Sequence, residues 1–98
     1  MVIIVRDLVP VTVTEEEGAK LFGAIQSALR QHDIVTVSFE GIKTATTSFV
    51  NTAFVPLLDV LKFEEIKRRI QIVQSNRQIN HMIKWRLESE TSTLSHAQ

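Results

Sequence analysis

The stretch from Ile34 to Leu61 constrains the fold most: an apolar strand, a glycine, a run of small hydroxyl residues and an amphipathic helix follow in direct succession. Ile34-Val35-Thr36-Val37-Ser38-Phe39 alternates and is rich in β-branched side chains, which suit a pleated, half-buried strand. Val35, Val37 and Phe39 share one face, and the face of Ile34, Thr36 and Ser38 is less apolar. Glu40-Gly41 ends the strand. In Thr44-Ala45-Thr46-Thr47-Ser48 the hydroxyls compete with backbone hydrogen bonding, which favours turns and helix N-caps. Val50, Ala53, Phe54, Leu57, Leu58 and Leu61 then recur at the spacing of one helix face. A Thr/Ser cluster therefore sits at a strand-to-helix junction, where unpaired N–H groups and the positive end of the helix dipole meet solvent. This junction is the expected functional site.

The flanking sequence predicts the remaining elements. Val2-Ile3-Ile4-Val5 reads as a strand and Val11-Thr12-Val13 as a second, short one. Between them Asp7-Leu8-Val9-Pro10 reads as a turn, because Pro10 lacks an N–H and biases Val9 away from helix. Thr14 with Glu17 three residues on is a capping box, opening a helix whose inner stripe is Leu21, Phe22, Ile25, Ala28 and Leu29. Pro56 falls inside the next helix, about 49–61, and predicts a kink near Thr52–Val55 within one helix. A single helical turn around Phe63-Glu64-Glu65-Ile66 leads to the last strand, Ile70-Gln71-Ile72-Val73. Ser75 or Asn76 caps a third helix carrying Ile79, Met82, Ile83 and Leu87 inward. From Glu88 onward polar residues take over, so 89–98 reads as a flexible C-terminal tail after a single domain over 1–88. The order ββαβαβα predicts an α/β fold, a mixed four-stranded sheet with helices packed on one face or split across both.

Chemistry is limited by what the chain lacks. With 98 residues and no cysteine, it is one domain without disulfides or thiolate metal sites. The N-terminal apolar run is too short for a signal-peptide core, and no run approaches the roughly 20 residues of a membrane span, so a cytoplasmic location is expected. Zero formal charge removes whole-protein steering toward nucleic acid or anionic membrane. His32, His81 and His96 have no metal-ligand spacing, nothing predicts convergence of Ser48, His81 and Asp59, and Gly18, Gly23 and Gly41 form no phosphate loop. Neither enzymatic activity, nor a cofactor, nor a metal is expected.

Val37-Ser38-Phe39-Glu40-Gly41-Ile42, a short spacer, then Thr47-Ser48-Phe49 resembles the core of STAS domains, the fold of bacterial anti-sigma factor antagonists. It is most similar to a small STAS-like family of unknown function whose members carry a Ser-Phe pair opening the helix. The resemblance runs from about Val11 to Leu87. In the antagonists this turn holds an aspartate-serine-serine-glycine motif whose second serine is phosphorylated by a partner kinase. Thr46, Thr47, Ser48 and Phe49 stand at the matching positions, so only the acceptor serine agrees in type. An acidic pair that usually follows Ser-Phe in the STAS-like group reads Asn51-Thr52 here.

What the resemblance implies is a cytoplasmic, bacterial-type regulatory module that binds another protein, with an ATP-binding kinase or anti-sigma-type regulator as the implied partner. The expected contact surface is Thr46, Thr47, Ser48, Phe49, Asn51 and Thr52, with Ser48 as the phosphoacceptor or, on residue type alone, a plain N-cap. Phe49 either tucks into the core or anchors the partner, and Trp85 lies at the core edge or on an exposed contact surface. Two other classes stay open. A nucleic-acid accessory would use Lys67, Arg68, Arg69, Lys84 and Arg86, and a structural subunit would self-associate, as in a homodimer, through an open strand edge or the Phe49/Trp85 surface.

Overall fold

The capping pair Thr14/Glu17 and the breaker Pro56 divide the chain into the elements seen in the computed structural model, which describes residues 1–96 and side chains through Thr91. The order is β1 (Val2–Ile4), α1 (Val5–Leu8), α2 (Glu15–Leu29), β2 (Val35–Ser38), α3 (Thr47–Phe54), a 3-10 turn (Val55–Asp59), α4 (Phe63–Arg69), β3 (Ile70–Val73) and α5 (Arg77–His96). The three strands form one all-parallel sheet in the order β1-β2-β3, with Ile3 opposite Val37 and Val37 opposite Ile72.

This register sorts the side chains into two unlike faces. Ile3, Val35, Val37 and Ile70 are buried, join Phe39 in the core, and pack with Leu21, Ile25, Phe49, Phe54, Ile79 and Ile83 from α2, α3 and α5. On the opposite face Val2, Gln71 and Val73 are exposed, Ile4 and Thr36 are half-buried and Ser38 is buried, and none of them belongs to the hydrophobic core. The helices thus cover one face of the sheet. The central position expected for the strand over 34–39 is the one observed.

Four expectations need correction. Val11-Thr12-Val13 is not a strand, so the sheet has three parallel strands and not four in mixed array. The polar groups of that segment are used elsewhere. Thr12 O accepts from Thr46 N at 3.0 Å, the Thr12 hydroxyl donates to Thr44 O at 2.7 Å, and Val13 O accepts from the Thr46 hydroxyl at 2.6 Å. The first half of the predicted turn, Asp7 and Leu8, belongs instead to the one-turn helix α1, while Val9, extended, and Pro10 lie beyond its end. Pro56 does more than kink its helix: α3 ends at Phe54, and Pro56 enters the first turn of a 3-10 segment, where its missing N–H is not needed. The apolar stripe survives the change, with Leu57 buried and Leu58 and Leu61 packed at the core edge. Finally, α5 continues past Glu88 to His96, so the backbone of the expected tail is helical that far, while 97 and 98 lie outside the described residues. Thr91, whose hydroxyl donates to Leu87 O at 2.8 Å, is part of that continued helix.

Two long side chains tie the layers together. Arg69, at the end of α4, donates to Leu29 O at 2.9 Å, His32 O at 3.2 Å and Asp33 O at 3.0 Å, closing the C-terminal end of α2. Asn76 accepts from Ile79 N at 2.9 Å as the cap of α5, and its amide donates to Lys43 O at 2.6 Å in the turn after β2.

Candidate functional site

The junction between β2 and α3 is built from the backbone outward. Gly41 has φ of +79°, a left-handed conformation that side chains rarely adopt, and it lets the chain reverse at the C-terminal end of the sheet. A Cβ there would also lie 2.8 Å from the Arg6 guanidinium, which pairs with Glu40 at 2.7 Å across this turn. Ile42 N bonds Phe39 O at 2.9 Å, and Ala45, buried, pins the loop to the core.

Thr46 is the hub of the turn. Its hydroxyl accepts from Phe49 N at 3.2 Å as the N-cap of α3 and donates to Val13 O, while its N–H reaches Thr12 O. Ser48 therefore is not the cap. It is the second residue of α3, exposed, and its hydroxyl makes no hydrogen bond among the described residues, although its carbonyl accepts from the Thr52 hydroxyl at 2.9 Å. Thr47 is exposed beside it. Ser48 and the two threonines before it thus divide the work: one hydroxyl holds the fold and the next residues face solvent.

The six expected contact residues are not equivalent. Phe49 is fully buried and packs in the core, which removes it from any contact surface and settles the choice left open by the sequence. Asn51 is half-buried, and its Oδ1 accepts from Arg86 Nε at 2.5 Å, joining α3 to α5. Thr52 is half-buried and bonded within α3. What solvent meets is Lys43, Thr44, Thr47 and Ser48, with Thr46 half-covered behind them.

Helix α2 presses close against this junction because position 18 is glycine. A Cβ on Gly18 would stand 2.7 Å from Phe49 O and 2.8 Å from Thr52 Cβ. The sequence reading missed Gly18, Thr12, Asn76 and Arg86 as supports of the site. Each acts across more than thirty residues: Thr12, Asn76 and Arg86 through side-chain hydrogen bonds, and Gly18 through the close approach that its missing side chain allows.

The basic residues weighed as a nucleic-acid surface are partly committed inside the molecule. Arg69 caps α2, Arg86 holds Asn51 and pairs with Glu90 at 3.4 Å, and the Lys67 ammonium sits 5.2 Å above the Phe63 ring. Trp85 is 50% exposed, not tucked at the core edge, with the Arg86 guanidinium 5.2 Å from its ring. Among the described residues no group of three or more His, Cys, Asp or Glu is placed to hold a metal ion, and no helix is long and apolar enough to cross a membrane.

Comparison with known proteins places this geometry in a family. The model of the family described as STAS-like domain of unknown function (DUF4325) matches residues 17–80, a span holding α2, β2, the junction, α3, α4, β3 and the start of α5. No curated protein and no solved structure gives a significant match. With a matched region covering well over half its length, and the strand, glycine turn and Ser-Phe helix start inside it, this chain belongs to the STAS-like domains of unknown function.

Proposed function

We propose that this STAS-like domain is a regulatory module that binds another protein at the β2–α3 junction and is switched by phosphorylation of Ser48. The contact surface is the exposed shelf of Lys43, Thr44, Thr47 and Ser48. The observation that carries the reading is the separation of duties at the helix start: Thr46 performs the cap, and Ser48, the second residue of the helix, is exposed with a hydroxyl that makes no hydrogen bond among the described residues. A phosphoryl group there adds a charge of about −1.5 to −2 beside the positive end of α3, so it is compatible with the fold while changing what a partner meets. The partner kind that the STAS resemblance implies is an ATP-binding kinase or an anti-sigma-type regulator.

The experiment isolates the chain from its native cells, maps phosphorylation by mass spectrometry, and compares partner recovery by wild type, Ser48→Asp and Ser48→Ala. The expected result is a phosphoryl group on Ser48, retained binding by Ser48→Ala, and recovery reduced by about tenfold or more in Ser48→Asp. Equal recovery with all three, together with unmodified Ser48, rules the switch out.

A further inference from the structure

A second surface lies away from the Ser48 junction, along the last strand of the sheet. The sheet ends at β3, so among the described residues one edge of that strand has no neighbouring strand. Phe39 N bonds Val73 O, and backbone groups alternate sides along a strand, so Gln71 and Val73 face β2 while the N–H and C=O of Ile72 point outward. Ile70 N–H is already bonded to Ile66 O, which leaves Ile70 C=O beside the Ile72 pair. Directly against this strand, between α4 and α5, lies an open groove of about 330 Å³. Its floor is Ile70, Ile72 and Phe54, and its walls include Phe63, Ile83 and Leu87. That volume is at the bottom of the roughly 300–1,000 Å³ range of small-molecule sites and suits one or two inserted side chains.

We propose that the β3 edge and this groove bind an extended, acidic and apolar segment of another protein, which adds as a fourth strand and inserts apolar side chains beside Ile72. Two independent features converge on this occupant. An open edge supplies main-chain hydrogen bonds, and a flanking apolar groove supplies side-chain selection, the pairing that strand addition uses. The charge of the rim sets the sign. Lys67 on α4 and Lys84 on α5 are exposed and both line the groove, against the single carboxylate of Glu88, and among the described residues neither lysine forms an ion pair. A second copy of the chain fits less well. A two-fold axis through paired β3 edges runs the strands antiparallel, carrying Lys67 and Arg68 of one copy toward Arg77 of the other.

The test titrates the isotope-labelled full chain with a capped synthetic peptide of about eight residues that alternates Glu with Ile. Two controls accompany it: the same peptide with Lys for Glu, and one N-methylated at alternate residues so that it cannot pair as a strand. The expected result is movement of the Ile72 and Gln74 amide resonances with the Glu peptide, and binding at least about tenfold weaker for each control. The Lys67→Glu/Lys84→Glu double variant alters exposed side chains only and should invert the preference between the Glu and Lys peptides, while Ser48→Asp should leave it unchanged. No binding of the Glu peptide up to about 1 mM, or equal binding of the N-methylated peptide, overturns the proposal. So does a sedimenting dimer that protects the Ile72 amide and excludes the peptide, which would assign the edge to a second copy.

Discussion

Ser48 and Thr46 are two residues apart and carry opposite burdens, and substitution should separate them. Thr46 caps α3 and braces Val13, so Thr46→Ala should lower stability by about 1–2 kcal/mol. Among the described residues the Ser48 side chain makes no hydrogen bond, so Ser48→Ala should stay within about 0.5 kcal/mol of wild type. Ser48→Asp should match or exceed wild type, by about 0.3–1 kcal/mol at low salt, because a carboxylate in the first turn opposes the helix dipole. Thermal unfolding of the three variants checks all of this; a larger loss from Ser48→Ala than from Thr46→Ala would reverse the assignment of the cap. Gly18 offers a harsher contrast. Its added methyl would meet the Phe49 carbonyl and the Thr52 side chain, so Gly18→Ala should cost about 1–3 kcal/mol despite alanine's higher helix propensity. A stabilised Gly18→Ala variant would mean that α2 and α3 can separate at that point.

Elements in this fold are joined by side chains that reach from one into the end of another. Arg69 is the clearest case: one guanidinium serves three carbonyls at the end of α2 and the loop before β2. Removing it as Arg69→Ala should cost about 1–3 kcal/mol, and Arg69→Lys should restore only part, since a single ammonium cannot span the same fork of acceptors. Urea unfolding of the pair measures it, and full rescue by lysine would show that charge alone holds the contact. The Arg86–Asn51 bond does for α3 and α5 what Arg69 does for α2 and α4. It also explains why Asn51 is a support of the junction and not a free contact residue. The break at Pro56 belongs to this scale too: the chain keeps burying Leu57 while its hydrogen bonding changes from α to 3-10, since packing follows the stripe and the ladder follows the imino acid.

The whole molecule, 40 × 28 × 23 Å, is a one-sided layer of helices on a narrow parallel sheet. All-parallel sheets are usually covered on both faces, and here the second face exposes Val2, Gln71 and Val73 to solvent and leaves Thr36 half-buried. Neighbouring positions on β1 should therefore respond unequally. Ile3→Ala should cost about 2–4 kcal/mol, whereas Val2→Thr should change stability by less than about 0.5 kcal/mol. Comparable losses at both, by chemical denaturation, would mean that the outer face is covered. Much of this was legible beforehand. The buried alternation of Val35, Val37 and Phe39, the Thr14 cap, the boundaries of β3 and the exposure of Ser48 all follow from periodicity and from residues acting within one turn of themselves. Local rules could not decide the use of Val11–Val13, because alternation alone does not say whether a segment's hydrogen bonds go to a sheet or to a turn thirty residues away. Nor could they choose among Thr46, Thr47 and Ser48 as the cap, or place Phe49 inside. Those choices were made by the approach of the 12–14 segment and of Gly18 to the start of α3, contacts that exist only once the chain has folded.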